Sequence, residues 1–182
     1  MKKEIKSKKE KIEKNNNPMK EVSIERAILH CSTADPNKLE RSIKLLKFIT
    51  GMVPVKTLAK KRIPTFKIRP GLEIGCKVTL RGQKATDILK SILVGVPDLN
   101  KKQFREGFFS FGIREYIEIP SIPYQRDIGM LGFEVIVILK RKAGTRTPRR
   151  KIRPKKIGNI HRITQEETIN FFKKNFKTPI ID

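Results

Sequence analysis

The most regular stretch of the chain lies at residues 74–81. There Ile74, Cys76, Val78 and Leu80 alternate with Gly75, Lys77, Thr79 and Arg81. A period of two places the first set on one face of a β-strand and the second on the other. Weaker strand signals occupy residues 22–30, with Ile24 and Ile28 among polar neighbours, a short piece at 53–57, and the runs 109–119 and 133–139. Between them the period changes. Asp35-Pro36 is a helix-start pair, Leu39, Ile43 and Leu46 follow at helical spacing, and Gly51 supplies a stop. Ala85, Ile88, Leu89 and Ile92 mark a second helix. A third opens at the capping box Thr164…Glu167 and presents Ile169, Phe172 and Phe176. Strands with helices between and after them predict an α+β fold. The expected architecture is a two-layer sandwich, a mostly antiparallel sheet with helices on one face.

Charge narrows the function. The 182 residues hold 42 Lys plus Arg against 18 Asp plus Glu, a formal net charge of +24. So large an excess calls for a polyanionic partner, and nucleic acid leads. Residues 1–20 carry a net of +5, and residues 140–162 carry eleven cations and no acid. Residues 1–17 therefore read as a disordered basic arm. The segment 140–162, punctuated by Gly and Pro and poor in apolar residues, reads as an extension that stays unfolded until it lies against RNA. A membrane partner is disfavoured, because no apolar run approaches the roughly 18–20 residues that span a bilayer and residues 1–14 have no apolar stretch behind their charges. Cys31 and Cys76 are too few for a disulfide framework or a four-ligand zinc site, which suggests a reducing, intracellular setting.

Catalytic tools are scarce. His30 and His161 begin no metal-spaced or nucleophilic motif, and His161 suits a phosphate or backbone contact better than a base. Cys76 falls on the apolar side of its strand. Glu115 and Glu118 are oddly spaced and would face opposite ways on a strand, and Glu166 and Glu167 suit the first turn of a helix. No phosphate-binding Gly-rich loop is present. RNA-binding features are stronger. Lys77, Thr79 and Arg81 would line the uncovered side of the sheet. Lys60, Lys61, Arg62, Lys67 and Arg69 surround Phe66 in a Pro- and Gly-bounded loop, where an aromatic can stack on an unpaired base. Arg141, Arg149, Arg150, Lys151, Arg153, Lys155 and Lys156 supply phosphate contacts from the extension.

These segments also form a familiar series. FKIRPGLEIGCKVTLRG (66–82), FSFGIREYIEIP (109–120) and IGMLGFEVIVILKR (128–141) resemble the universal large-subunit ribosomal protein L-five family. NPMKEVSIERAIL (17–29) and RRKIRPKKIGNIHRITQEETINFFKKNF (149–176) fit its archaeal–eukaryotic branch. The resemblance implies a cytoplasmic, non-catalytic ribosomal protein without a cofactor, residues 18–182 forming one rRNA-binding domain with the extension 140–162 and a helix at 165–176. It further implies binding of 5S rRNA in the central protuberance through the open sheet face, with Phe66, Arg69 and Thr79 at matching positions. A loop containing Lys60, Lys61, Arg62 and Thr65 would face peptidyl-site tRNA. Large-subunit rRNA, neighbouring ribosomal proteins and a small-subunit head protein would complete the partners. Two positions depart from the family: His30 stands where Asn is usual, and Met52 where Gln is usual. Cys31-Ser32-Thr33 also replaces a Gly-containing turn. The rival readings are a free-standing RNA-binding or chaperone protein and an RNA-processing enzyme, the latter lacking a carboxylate cluster or His pair.

Overall fold

The structure is a computed structural model that describes residues 17–142, 147–176 and 178–181. The arm expected at 1–17 lies outside the described residues except for Asn17, whose side chain accepts the Met19 N–H at 2.9 Å and caps a short turn, Pro18–Lys20.

Among the described residues, eight strands and three α-helices follow. They are β1 (Val22–Ser32), α1 (Pro36–Thr50), β2 (Val55–Leu58), β3 (Glu73–Leu80), α2 (Gly82–Val94), β4 (Leu99–Asn100), β5 (Phe104–Arg105), β6 (Phe108–Ile113), β7 (Phe133–Arg141), α3 (Gln165–Asn175) and β8 (Ile180–Ile181). Six strands form one antiparallel sheet in the order β2-β3-β1-β7-β6-β5. β4 and β8 pair in parallel as a separate ribbon. The α+β expectation holds.

Side-chain parity decides what is covered. Ala27, Leu29 and Cys31 of β1, Cys76, Val78 and Leu80 of β3, Val135, Val137 and Leu139 of β7, and Phe109, Phe111 and Ile113 of β6 are all buried. They share a core with Leu39, Leu45 and Leu46 of α1, Ala85, Leu89 and Ile92 of α2, and Phe172 of α3. The helices thus lie on one face of the sheet. α1 ends where Gly51 adopts a left-handed conformation (φ 65°) and returns its N–H to the Lys47 carbonyl. At α3 the Thr164 Oγ1 accepts the Glu167 N–H at 3.4 Å, while a Glu167 carboxylate oxygen accepts the Thr164 N–H at 3.1 Å. Phe172 stands edge-on to Phe104 and Phe109 at 5.2 and 5.3 Å and so fixes α3 on β5 and β6.

Two local expectations change. The run 109–119 is a strand only to Ile113. Beyond it a 3-10 turn, Tyr116–Glu118, buries Tyr116, whose hydroxyl accepts the Gln125 N–H at 2.9 Å. Glu115 and Glu118 therefore do not face opposite sides of a strand. Arg81 is likewise not a strand residue. It sits one position past β3 as the N-cap residue of α2, exposed and without a capping side-chain bond.

Candidate nucleic-acid interface

The uncovered side of the sheet can be read row by row from strand register. One row is Val55, Lys77, His30, Glu134 and Gly112; the next is Thr79, Ile28, Ile136 and Ser110. A third is Arg26, Ile138 and Phe108. The face is mixed rather than uniformly basic, since aliphatic side chains occupy its centre. Lys77 is exposed and Thr79 half-buried. The His30 Nδ1 lies 3.8 Å from the Glu134 carboxylate. Beside it Gly75 makes close approach possible, because a Cβ there would come within 2.6 Å of the Cys31 carbonyl oxygen and 2.9 Å of Thr57 Oγ1.

A β-bulge interrupts β1 between Ile24 and Arg26. The extra residue, Glu25, reaches the guanidinium of Arg149 from the basic extension. Arg26 follows it on the open side, and its Nε is buried without a hydrogen-bond partner among the described residues.

The loop from residue 59 to 72 is built, not slack. The Ala59 N–H donates to the Leu72 carbonyl at 2.8 Å, and the Gly71 N–H to the Ala59 carbonyl at 3.0 Å. Ile63 and Ile68 exchange backbone bonds at 3.0 and 3.1 Å around the turn Pro64–Phe66, and Lys67 takes a left-handed conformation to close it. Their side chains form no part of the core. Phe66 is 67% exposed, which excludes core packing as its role. Lys60, Lys61, Arg62, Thr65 and Arg69 are exposed around it.

The extension divides in two. Arg141, at the end of β7, is only 15% exposed at its side chain; its Nη2 donates to both Glu167 carboxylate oxygens at 2.8 and 2.7 Å, and its Nη1 to the Lys20 carbonyl at 3.1 Å. That cation holds the chain together rather than facing solvent. Arg150, Lys151, Arg153, Lys155 and Lys156 are exposed. Among the described residues the segment folds back: the Lys155 N–H donates to the Thr147 carbonyl, Arg149 pairs with Glu25, and Ile157 is half-buried. Sequence composition alone suggested an unfolded arm, because an anchor formed by one ion pair and a few aliphatic contacts leaves no periodic trace. Residues 143–146 of the extension lie outside the described residues. Between the extension and the open ends of β6 and β7 is a cavity of about 550 Å³, lined by Phe108, Ile136, Ile138, Pro148, Ile157 and His161 among others.

The two cysteines are core residues. Cys31 and Cys76 are register partners on the covered face, 5% and 0% exposed. Hydrogen bonding with Cys76 and then burial push the Cys31 thiol well above the usual range, which suits a packing residue rather than a nucleophile. Among the described residues no three His, Cys, Asp or Glu side chains gather to hold a metal, and no helix is long and apolar enough to cross a membrane.

Sequence reasoning missed Glu25, Arg26 and Phe108, since their grouping depends on register and on the bulge. Gly75 carried a signal, a glycine inside a strand, which marks close backbone approach.

Two family models match the chain. Residues 17–69 match ribosomal protein L5, and residues 73–171 match the C-terminus of the same ribosomal family. A large ribosomal subunit protein uL5 of Nanoarchaeum equitans is 42% identical over 90% of this chain and 98% of its own length. Its counterparts in Methanosphaera stadtmanae and Archaeoglobus fulgidus are 40% and 39% identical, over 90% and 87% of this chain and 99% and 90% of theirs. The boundary between the two matched regions falls just before β3, so both halves of the sheet are represented, and the chain belongs to the ribosomal protein L5 family.

Proposed function

We propose that this protein is a structural constituent of the large ribosomal subunit in the cytoplasm and that it binds 5S rRNA in the central protuberance. Residues 18–182 act as the rRNA-binding domain. The observation that carries the reading is the pinned, outward-facing loop: Phe66 and Arg69 are exposed in the segment that joins β2 to β3, and β3 carries Lys77 and Thr79 on the open face. An aromatic platform flanked by cations suits an unpaired base and its phosphates. The aliphatic centre of the face, Ile28 and Ile136, suits sugars and base edges rather than phosphate. Membership of a family whose relatives are named large ribosomal subunit proteins supports the same reading.

Arg81, Arg149, Arg150, Lys151, Arg153, Lys155 and Lys156 contribute further phosphate contacts, to 5S or large-subunit rRNA. Arg141, engaged with Glu167, contributes through the fold. The loop cations Lys60, Lys61 and Arg62, with Thr65, face peptidyl-site tRNA, and the outer parts of the domain meet neighbouring ribosomal proteins and a small-subunit head protein. The role requires neither catalysis nor a cofactor. Titration of the full chain with 5S rRNA and with a double-stranded RNA of equal length tests it. Tighter binding of 5S rRNA, weakened in Phe66→Ala and Arg69→Ala, is expected. Equal affinity for both RNAs would overturn the assignment.

A further inference from the structure

Residues 140–162 carry eleven cations and no acid, so any carboxylate that neutralises them comes from elsewhere in the fold. Two come from the region of β1. Just before that strand, Glu21 accepts a hydrogen bond from Lys142 Nζ at 2.8 Å, where the chain leaves β7. The bond from Lys142 holds the Glu21 carboxyl below its usual range. At the β1 bulge, Glu25 pairs with Arg149. The two pairs differ in setting: Glu21 and Lys142 are both exposed, whereas the Glu25 side chain is only 18% exposed. Little else fastens residues 147–157. Among them Thr147 and Ile157 are half-buried and the others are exposed. Pro148 and Ile157 share with Phe108, Ile136 and Ile138 a cavity of about 550 Å³, so apolar packing of this stretch against the sheet is incomplete. A void forfeits the dispersion contacts of its lining. The attachment is therefore chiefly electrostatic, and a competing anion can exchange with it.

We infer that residues 147–157 are an autoinhibitory strap: in the RNA-free protein Glu25 latches Arg149 over one end of the open face, and a polyanion must displace that carboxylate before it engages Arg149. Glu21 holds Lys142 in the same way where the chain approaches the strap. The inference rests on the RNA-binding reading above and concerns its regulation, not the place where RNA lies. A phosphate that displaces Glu25 gains the guanidinium but leaves a partly buried carboxylate without its partner, which is unfavourable. A single phosphate offers too little in return. A long RNA sets many phosphates at once against the exposed Arg150, Lys151, Arg153, Lys155 and Lys156. For a chain of net charge +24, the latch lowers the affinity for any polyanion in proportion to the fraction of molecules whose strap is open.

The test is a double-mutant cycle on the full chain, titrated with a double-stranded RNA of generic sequence at one fixed salt concentration. Glu25→Gln frees Arg149, and RNA affinity is expected to rise about three- to five-fold. In an Arg149→Ala background the strap is already unlatched, so Glu25→Gln should change affinity by less than about 1.5-fold. Net charge changes equally in both backgrounds, which separates a latch from a general gain in charge. No gain in the parent would overturn the inference. So would an equal gain in both backgrounds, because Glu25 would then merely repel RNA. Thermal melts establish that each variant is folded. If a Glu25 variant is not, Glu21→Gln with and without Lys142→Ala repeats the cycle at an exposed pair, with the same outcomes. Titration of the parent with 5S rRNA separates the two readings. A preference for 5S rRNA without a gain that depends on Arg149 removes the strap and leaves the ribosomal role. A gain that depends on Arg149, without preference for 5S rRNA, does the reverse.

Discussion

Arg141 Nη2 lies 2.8 and 2.7 Å from the two carboxylate oxygens of Glu167, and the same carboxylate accepts the Thr164 N–H that opens α3. One side chain therefore joins the end of β7 to the first turn of the last helix. It also ties in the N-terminal turn through the Lys20 carbonyl.

Arg141→Ala is expected to lower stability by about 1–3 kcal/mol, because charge-assisted bonds at a mostly buried guanidinium are lost while Glu167 keeps some solvent access. Glu167→Gln, which retains the cap geometry, should cost less. Once folded, Arg141→Ala should bind 5S rRNA almost as well as the parent. Thermal melts beside RNA titrations check both points. A variant that melts normally but loses RNA affinity would return Arg141 to the interface.

Cys76 and Arg81 should fail in opposite ways. Cys76 is fully buried under the helices, so Cys76→Ala should cost roughly 1–2 kcal/mol. Arg81 is exposed and makes no capping bond, so Arg81→Ala should shift stability by less than about 0.5 kcal/mol. If it contacts phosphate, its loss lowers the salt slope by about 1. An early melt for Arg81→Ala would show that its place at the start of α2 matters to the fold.

How far the sequence reached follows from which signals are local. The β3 parity was legible because four apolar and four non-apolar positions alternate, and burial of Cys76, Val78 and Leu80 follows the pattern. The same rule overran at Arg81, since parity does not announce where Gly82 turns the chain into α2. It overran again at Tyr116 and Ile119, where apolar residues three apart are buried by a 3-10 turn and not by a strand. β4, β5 and β8 have two residues each and no pattern to read. On the interface, Phe66 was visible as an aromatic among cations. The row of Arg26, Ile138 and Phe108 was not, because it assembles from three strands across a bulge.

The ion pair between Glu25 and Arg149 should control the extension. Glu25→Gln removes the charge that anchors Arg149, and amides between residues 147 and 157 should exchange faster in the free protein, by several-fold. The flanking strands β1 and β7 should be little affected. Exchange unchanged across this stretch would mean that Pro148 and Ile157 hold the extension without the ion pair.

Binding to 5S rRNA should depend steeply on salt. If about 6–10 of the exposed cations neutralise phosphates, affinity falls on the order of 10³–10⁵ between 50 and 200 mM salt. Because the centre of the open face is aliphatic, a salt-resistant remainder is expected from stacking and apolar contact. A flat response would sink the electrostatic account.

Gly75 supplies the most local test of how the open face is built. It lies in β3 between Thr57 of β2 and Ser32 of β1, its register partners. A methyl group placed there would sit 2.6 Å from the Cys31 carbonyl oxygen, a backbone atom that cannot swing aside, and 3.4 Å from His30 Nε2. Gly75→Ala must therefore push β3 away from β1. Overpacking of this kind typically costs about 1–3 kcal/mol. It should also weaken 5S rRNA binding beyond any loss of stability, since Lys77 and Thr79 ride on the displaced strand. Gly112, on the same face but with nothing within 4 Å of a Cβ, is the control. Gly112→Ala should melt and bind close to the parent. Equal behaviour of the two variants in both assays would show that close packing at Gly75 does not set the position of the RNA-facing rows.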